Sequence, residues 1–278
     1  MSRLDARFAA LGVVRKKALV TYLCAGDPSA DETIELAIAC AEAGADVIEL
    51  GVPFSDPSAD GPAIARAAAR SISRGGGLRT TLRICAAIRA RIDVPIVLFG
   101  YYNPIFIMGE ERLCAAAKEA GADGLLVVDL PIEESASLRA SAKTNGLTVV
   151  PLLTPTSSEA RVRAVEEAMR TCPAGFVYYV SVAGVTGNAA APLELASRAA
   201  GALHERLGTP VVVGFGVDSP ARARQAADQC QGVVVGTAIV RAIEDAPSAE
   251  IGRRVVRELV ASLRTAVDEH AQSVQTAG

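Results

Sequence analysis

The chain has no tryptophan, two histidines and four lysines in 278 residues, and only 4% of it is aromatic. Each shortage removes a class of chemistry. None of Lys16, Lys17, Lys118 and Lys143 falls at the C-terminal end of an apolar run, which argues against a Schiff-base aldolase. His204 and His270 lie in polar, helical stretches, and no His/carboxylate cluster accompanies them. No metal site is therefore expected. The six cysteines (Cys24, Cys40, Cys85, Cys114, Cys172, Cys230) include no CxxC pair. That leaves neither a zinc nor a redox motif, and the expectation is reduced thiols in a cytoplasmic protein. Arg3, Asp5, Arg7 and Arg15-Lys16-Lys17 interrupt any secretory segment, and no run is long and apolar enough to span a membrane. Formal net charge is −3 with the signs interspersed. A nucleic-acid partner would need a basic stripe, and there is none.

What is present is an aliphatic, alanine-rich chain, half hydrophobic. Eight short apolar runs recur: Ala18–Leu23, Asp46–Leu50, Val94–Gly100, Gly124–Asp129, Leu147–Leu152, Gly175–Val180, Pro210–Gly214 and Gly232–Gly236. Near-continuous hydrophobicity marks strands covered on both faces. Alanine-rich helical stretches alternate with them, the pattern of βαβ units on a parallel sheet. The phrase Glu-Ala-Gly-Ala-Asp occurs twice, at 42–46 and 119–123, each time before a strand. Gly44 and Gly121 are placed to end a helix in the left-handed region. Periodicity alone permits an open doubly wound sheet or a closed barrel. The count of eight, the late glycine-rich turns and the lack of GxGxxG after the first strand favour an α/β fold of one (β/α)₈ TIM barrel. Leu4, Phe8 and Leu11 predict an extra N-terminal helix. Thr237-Ala238-Ile239-Val240 predicts a short phosphate-binding helix after strand 8. The reading is one domain over 1–270, with 271–278 as a frayed tail.

In a barrel, function gathers at the C-terminal strand ends. Glu49 closes the second run in phase with Val47. A carboxylate there is either a structural ion pair or solvated acid, or a partly buried group able to move protons near neutrality. Asp60 is either a cap for a helix starting near Pro62 or a second acid at the same mouth. Gly184–Gly187, Gly214-Phe215-Gly216 and Gly236-Thr237 follow the last three runs. Their glycines let backbone N–H groups approach an anion, although each is also an ordinary turn. The chemistry left open is proton transfer on a phosphorylated substrate, by an isomerase or by a lyase whose substrate is its own electron sink.

Leu50-Gly-Val-Pro-Phe-Ser-Asp-Pro57 with Ala59-Asp-Gly-Pro62 resembles the signature of the tryptophan synthase α chain family. Gly26-Asp-Pro28, Tyr101 with Asn103, Asp129–Ser135, Gly184–Gly187, Gly214–Gly216 and Gly236–Val240 extend the resemblance over most of the chain. It implies retro-aldol cleavage of indole-3-glycerol phosphate, with the protonated indole ring as electron sink. By this resemblance Glu49 is the acid–base group, Asp60 accepts from the indole N–H, and Tyr178 stands near Glu49. Gly187, Gly216, Gly236 and Thr237 match the phosphate cradle. Tyr22, Phe99, Tyr101 and Phe215 match positions around the indole plane, where plain packing is the other reading.

The resemblance also implies a pyridoxal-phosphate β subunit as partner in an α2β2 heterotetramer, and no cofactor in this chain. Pro53, Asp56, Asn103 and Pro104 fall where the family meets that partner. One departure is the uncharged sixth loop, Ser181-Val182-Ala183 and Asn188–Ala191, where some members carry an arginine. Rival readings are a stand-alone indole-releasing lyase, a phosphosugar isomerase on the same barrel, and a non-catalytic barrel that activates a partner.

Overall fold

The computed structural model describes residues 2–180, 191–214 and 216–275. The first half runs α1 (Arg3–Val13), β1 (Ala18–Cys24), α2 (Ala30–Glu42), β2 (Val47–Gly51), α3 (Pro62–Ile72), α4 (Leu78–Arg89), β3 (Ile96–Gly100), α5 (Tyr102–Met108), α6 (Glu110–Glu119) and β4 (Gly124–Val127). It continues α7 (Ala136–Thr144), β5 (Thr148–Val149), β6 (Leu152–Leu153), α8 (Glu159–Thr171) and β7 (Val177–Val180). Then come α9 (Ala191–Leu207), β8 (Val211–Gly214), α10 (Pro220–Ala226), β9 (Gly232–Val235), α11 (Thr237–Glu244) and α12 (Ala249–Gln275).

All strand pairings are parallel, in the order β5-β4-β3-β2-β1-β9-β8-β7-β6. The fifth predicted strand, Leu147–Leu152, is a correction: it is broken into β5 and β6. Pro151 has no N–H to give the ladder. The two pieces still act as one barrel stave. Val150 N–H donates to Leu125 O on one side at 2.8 Å, and Pro151 O accepts from Tyr178 N–H on the other at 2.9 Å. That segment closes the ring, so eight staves stand where eight runs were read. Helix α12 continues to Gln275, beyond the expected boundary at 270.

The strands alternate. Ala18, Val20, Val47, Val97, Leu126, Val212 and Val234 fill the barrel interior. Leu19, Leu23, Ile48, Leu50, Ile96 and Leu98 face the helical ring. Both faces are apolar, which is why the runs look continuous in sequence. Helix α1 begins in a capping box between Ser2 and Asp5. Its buried face, Leu4, Phe8 and Leu11, joins the interior cluster, with Phe8 stacked 5.3 Å from Phe176. A Cβ at Gly175 would lie 2.6 Å from Leu4 Cβ, so glycine there makes room for the plug. One end of the barrel is thus sealed, and the site lies at the other.

Candidate active site

Strand β2 presents Val47, Glu49 and Gly51 inward. Glu49 lies opposite Tyr22 on β1 and Val97 on β3. It is 1% exposed, and its Oε1 has no hydrogen-bond partner among the described residues. Burial pushes its carboxyl up to about 8, because nothing nearby offsets the lost hydration. Inward glycines leave room for two phenols. A Cβ at Gly51 would lie 2.2 Å from the Tyr22 hydroxyl, and one at Gly214 would lie 2.1 Å from the Tyr178 hydroxyl. Burial raises both phenols well above the ordinary tyrosine value, and Glu49 and Asp60 add to the effect.

Asp60 ends the loop after β2. It is not a helix cap: Gly61 is the N-cap of α3, with Pro62 in its first turn. Asp60 Oδ2 instead accepts from the Tyr101 hydroxyl at 3.1 Å, and that hydroxyl accepts from Ala59 N–H at 3.0 Å. Burial raises the Asp60 carboxyl to about 6, against the lowering effect of Tyr101.

These groups meet in a cavity of about 190 Å³. Tyr22, Glu49, Asp60, Phe99, Tyr178, Gly216, Gly236 and Thr237 all line it. Tyr22 and Phe99 meet edge to face, 5.4 Å between centroids. Helix α11 starts at this wall. Its N-cap, Gly236, offers no side-chain cap, and the first intrahelical bond is Val240 N–H to Gly236 O. The N–H groups of Thr237, Ala238 and Ile239 therefore lack helical acceptors, the usual seat for an anion. Gly216 holds a φ of 78°, a left-handed conformation open to glycine at no steric cost.

Not every residue read from sequence lines the cavity. Tyr101 stands behind Asp60, stacked on Phe54 at 5.2 Å. Cys24 packs with Ala63 and Ala67, and burial raises its thiol to about 12. Gly187, Phe215 and the sixth-loop residues Val182 and Asn188 lie outside the described residues. On the rim, Pro53 is buried, Asp56 and Asn103 are exposed, and Pro104 is half-buried. The sequence reading passed over Arg241, an exposed cation on the cavity lining. It sits one turn below Thr237 on the same helical face, a spacing that would have found it. Asp218 and Ile64 were passed over as well.

A buried and a half-buried carboxyl beside a helix N-terminus, at the open end of a parallel barrel, fit the class of enzymes that move protons on phosphorylated substrates. Sequence comparison narrows this class. The family profile described as tryptophan synthase alpha chain matches residues 8–272. The chain belongs to that family, and its reaction is the indole-releasing cleavage of indole-3-glycerol phosphate. It is 49% identical to the tryptophan synthase alpha chain of Geobacter sulfurreducens over 267 residues, covering 96% of this chain and 99% of the relative. The alpha chain of Dechloromonas aromatica is 45% identical over 270 residues, covering 97% of this chain and 99% of that one. Among solved structures, tryptophan synthase subunit alpha from Legionella pneumophila superposes with a TM-score of 0.87 at 35% identity, covering 97% and 99% of the two chains.

Proposed function

We propose that Glu49 and Asp60 divide the proton and charge work of this cleavage. The observation that carries the reading is the unpartnered carboxyl of Glu49, buried on the cavity that Asp60 and the α11 N-terminus share. Glu49 enters the cycle protonated and gives its proton to carbon 3 of the indole ring. The ring becomes an indolenine cation. Asp60, ionised, accepts from the indole N–H and offsets that charge, a preorganised electrostatic contribution. Glu49, now a carboxylate, takes the proton of the glycerol hydroxyl on the carbon attached to the ring. The bond from that carbon to the ring breaks, its electron pair returns to the indole, and the aldehyde forms. Indole and glyceraldehyde 3-phosphate leave, and Glu49 is again protonated. Tyr178 stands beside Glu49 and orders it.

The phosphate sits on Gly216, Gly236 and Thr237 with Gly187, and Arg241 supplies the charge that the carboxylates do not. Tyr22 and Phe99, with Phe215, flank the indole plane, while Tyr101 holds Asp60. The partner is a β subunit in an α2β2 assembly, and pyridoxal phosphate belongs to that subunit. It seats on the rim around Asp56, Asn103 and Pro104 and receives the indole. Phe106 and Ile107, 69% and 76% exposed on α5, extend that rim with apolar surface.

The test is indole release from indole-3-glycerol phosphate by the chain alone and with a β subunit. Slow release that rises sharply with the β subunit is expected, along with a loss of about 10²–10⁴-fold in Glu49→Gln. Unchanged turnover in that variant would remove Glu49 from the mechanism. Fast release indifferent to the β subunit would favour a stand-alone lyase.

A further inference from the structure

Helices α3 and α11 both begin at the cavity. Asp60 lies just before α3, and Thr237 opens α11. Their far ends are joined through one carboxylate, Glu244. Arg70 on α3 donates through Nε and Nη2 to both carboxylate oxygens of Asp27, at 2.8 and 2.7 Å. Its Nη1 donates to Glu244 Oε1, at the last residue of α11, at 2.6 Å. Arg66, one turn earlier on α3, grips Glu244 with two more bonds of 2.8 and 2.6 Å. These two arginines hold the Glu244 carboxyl down at about 2, Arg66 contributing most.

The anchor at the other side of Arg70 is rigid. Asp27 is 3% exposed on the turn after β1. The next residue of α3, Ser71, donates to Ala25 O on the same turn at 2.6 Å. Arg70 is only partly exposed, with a relative side-chain exposure of 29%, so solvent competes weakly for its three acceptor oxygens.

We infer that Arg70 and Glu244 form a positioning clasp that sets the spacing between the phosphate seat and Asp60. This rests on the reading of the α11 N-terminus as the phosphate seat. Thr237 is about 10 Å from Glu244, and Pro62 about 12 Å from Arg70, at 1.5 Å per helical residue. The two helices are arms of similar length, fixed together at one end and carrying the two substrate contacts at the other. Neither clasp residue lines the cavity. A substrate that must reach both contacts at once senses the angle between the arms, whereas a small anion senses only its seat.

That difference supplies the test. Glu244→Ala opens the clasp and leaves the buried Arg70–Asp27 pair intact; Glu244→Gln keeps an acceptor for Arg70. Two readouts are compared with the wild-type chain: kcat/KM for indole-3-glycerol phosphate, and inhibition by inorganic phosphate. In Glu244→Ala, kcat/KM is expected to fall about tenfold or more, since a shift of 1 Å costs up to about a hundredfold. The phosphate inhibition constant should stay within about twofold, and Glu244→Gln should recover part of the loss. Arg70→Lys, which cannot reach all three acceptor oxygens but leaves the Arg66–Glu244 bonds in place, should lose part of kcat/KM in the same direction as Glu244→Ala. Unchanged kcat/KM with a lowered melting temperature would overturn the inference, leaving a plain stabilising contact. So would phosphate affinity falling in step with kcat/KM, because the seat itself would then be damaged. A wild-type chain that releases no indole would overturn the lyase reading, and the clasp with it.

Discussion

Asp46 and Asp123 occupy equivalent places at the sealed end of the barrel. Each accepts a backbone N–H from the start of a neighbouring strand: Leu19 N–H at 2.7 Å for Asp46, Ile96 N–H at 2.9 Å for Asp123. Each also receives one arginine from the helical ring, Arg264 at 2.8 Å and Arg89 at 2.8 Å. The second arginine of each comes from α1: Arg7 for Asp46 and Arg3 for Asp123. The twice-used phrase Glu-Ala-Gly-Ala-Asp is thus one joint built twice. Its glycines agree. Gly44 and Gly121 have φ of 106° and 82°, and a Cβ at either would collide with the ring arginine.

Breaking such a joint takes the carboxylate from a largely buried arginine, which keeps only its other acceptors, and leaves a strand N–H without its side-chain acceptor. Asp46→Ala and Asp123→Ala are each expected to lose about 3–5 kcal/mol. Arg7→Ala should lose less, because Arg7 is 44% exposed and solvent already screens it. Urea melts of the three variants check this. A loss below about 1 kcal/mol for the aspartates would mean the joints are decorative.

Acidity sets the second expectation. On the proposed mechanism, Asp60 is ionised and Glu49 protonated when the substrate arrives. With these groups at about 6 and about 8, kcat/KM should follow a bell with those limbs. Folding stability should respond too. The folded value of Glu49 lies above its ordinary 4.5. Its contribution is fully present below the unfolded value and is lost as pH rises through about 8. Glu49→Gln should flatten that decline, so that at pH 8 it melts no lower than wild type. Identical pH slopes for the two proteins would refute the assignment.

Arg241 is the cation on a cavity lining that also carries Glu49, Asp60 and Asp218. Arg241→Gln should raise KM by about three- to tenfold, the effect of one exposed charge on an anion, with kcat nearly constant. The increase should shrink as salt is added. Steady-state kinetics at two ionic strengths decide it, and an unchanged KM at low salt would exclude the role.

Much of this was legible in the residues. The eight staves showed because both faces of each strand are covered. Glu49 showed because one acid stood in an apolar strand, in phase with the interior. Asp60 was ambiguous because loop spacing does not say whether an acid caps a helix or turns back to the mouth. The break in the fifth stave went unseen although Pro151 was in view, since neighbours on both sides keep the segment in the ring. The Arg70 clasp was invisible for a different reason. Its partners stand 43 and 174 residues away, and only the closed ring brings them together.

Above the plug of Leu4 and Phe8 the interior is filled by side chains, so the cavity is a shallow well with a floor. What enters must turn round and leave by the same rim, so the product's first surroundings are whatever rests on that rim. A neighbouring subunit seated there needs no tunnel bored through the barrel. It becomes the next room, and the sealed floor is what gives the traffic a single door.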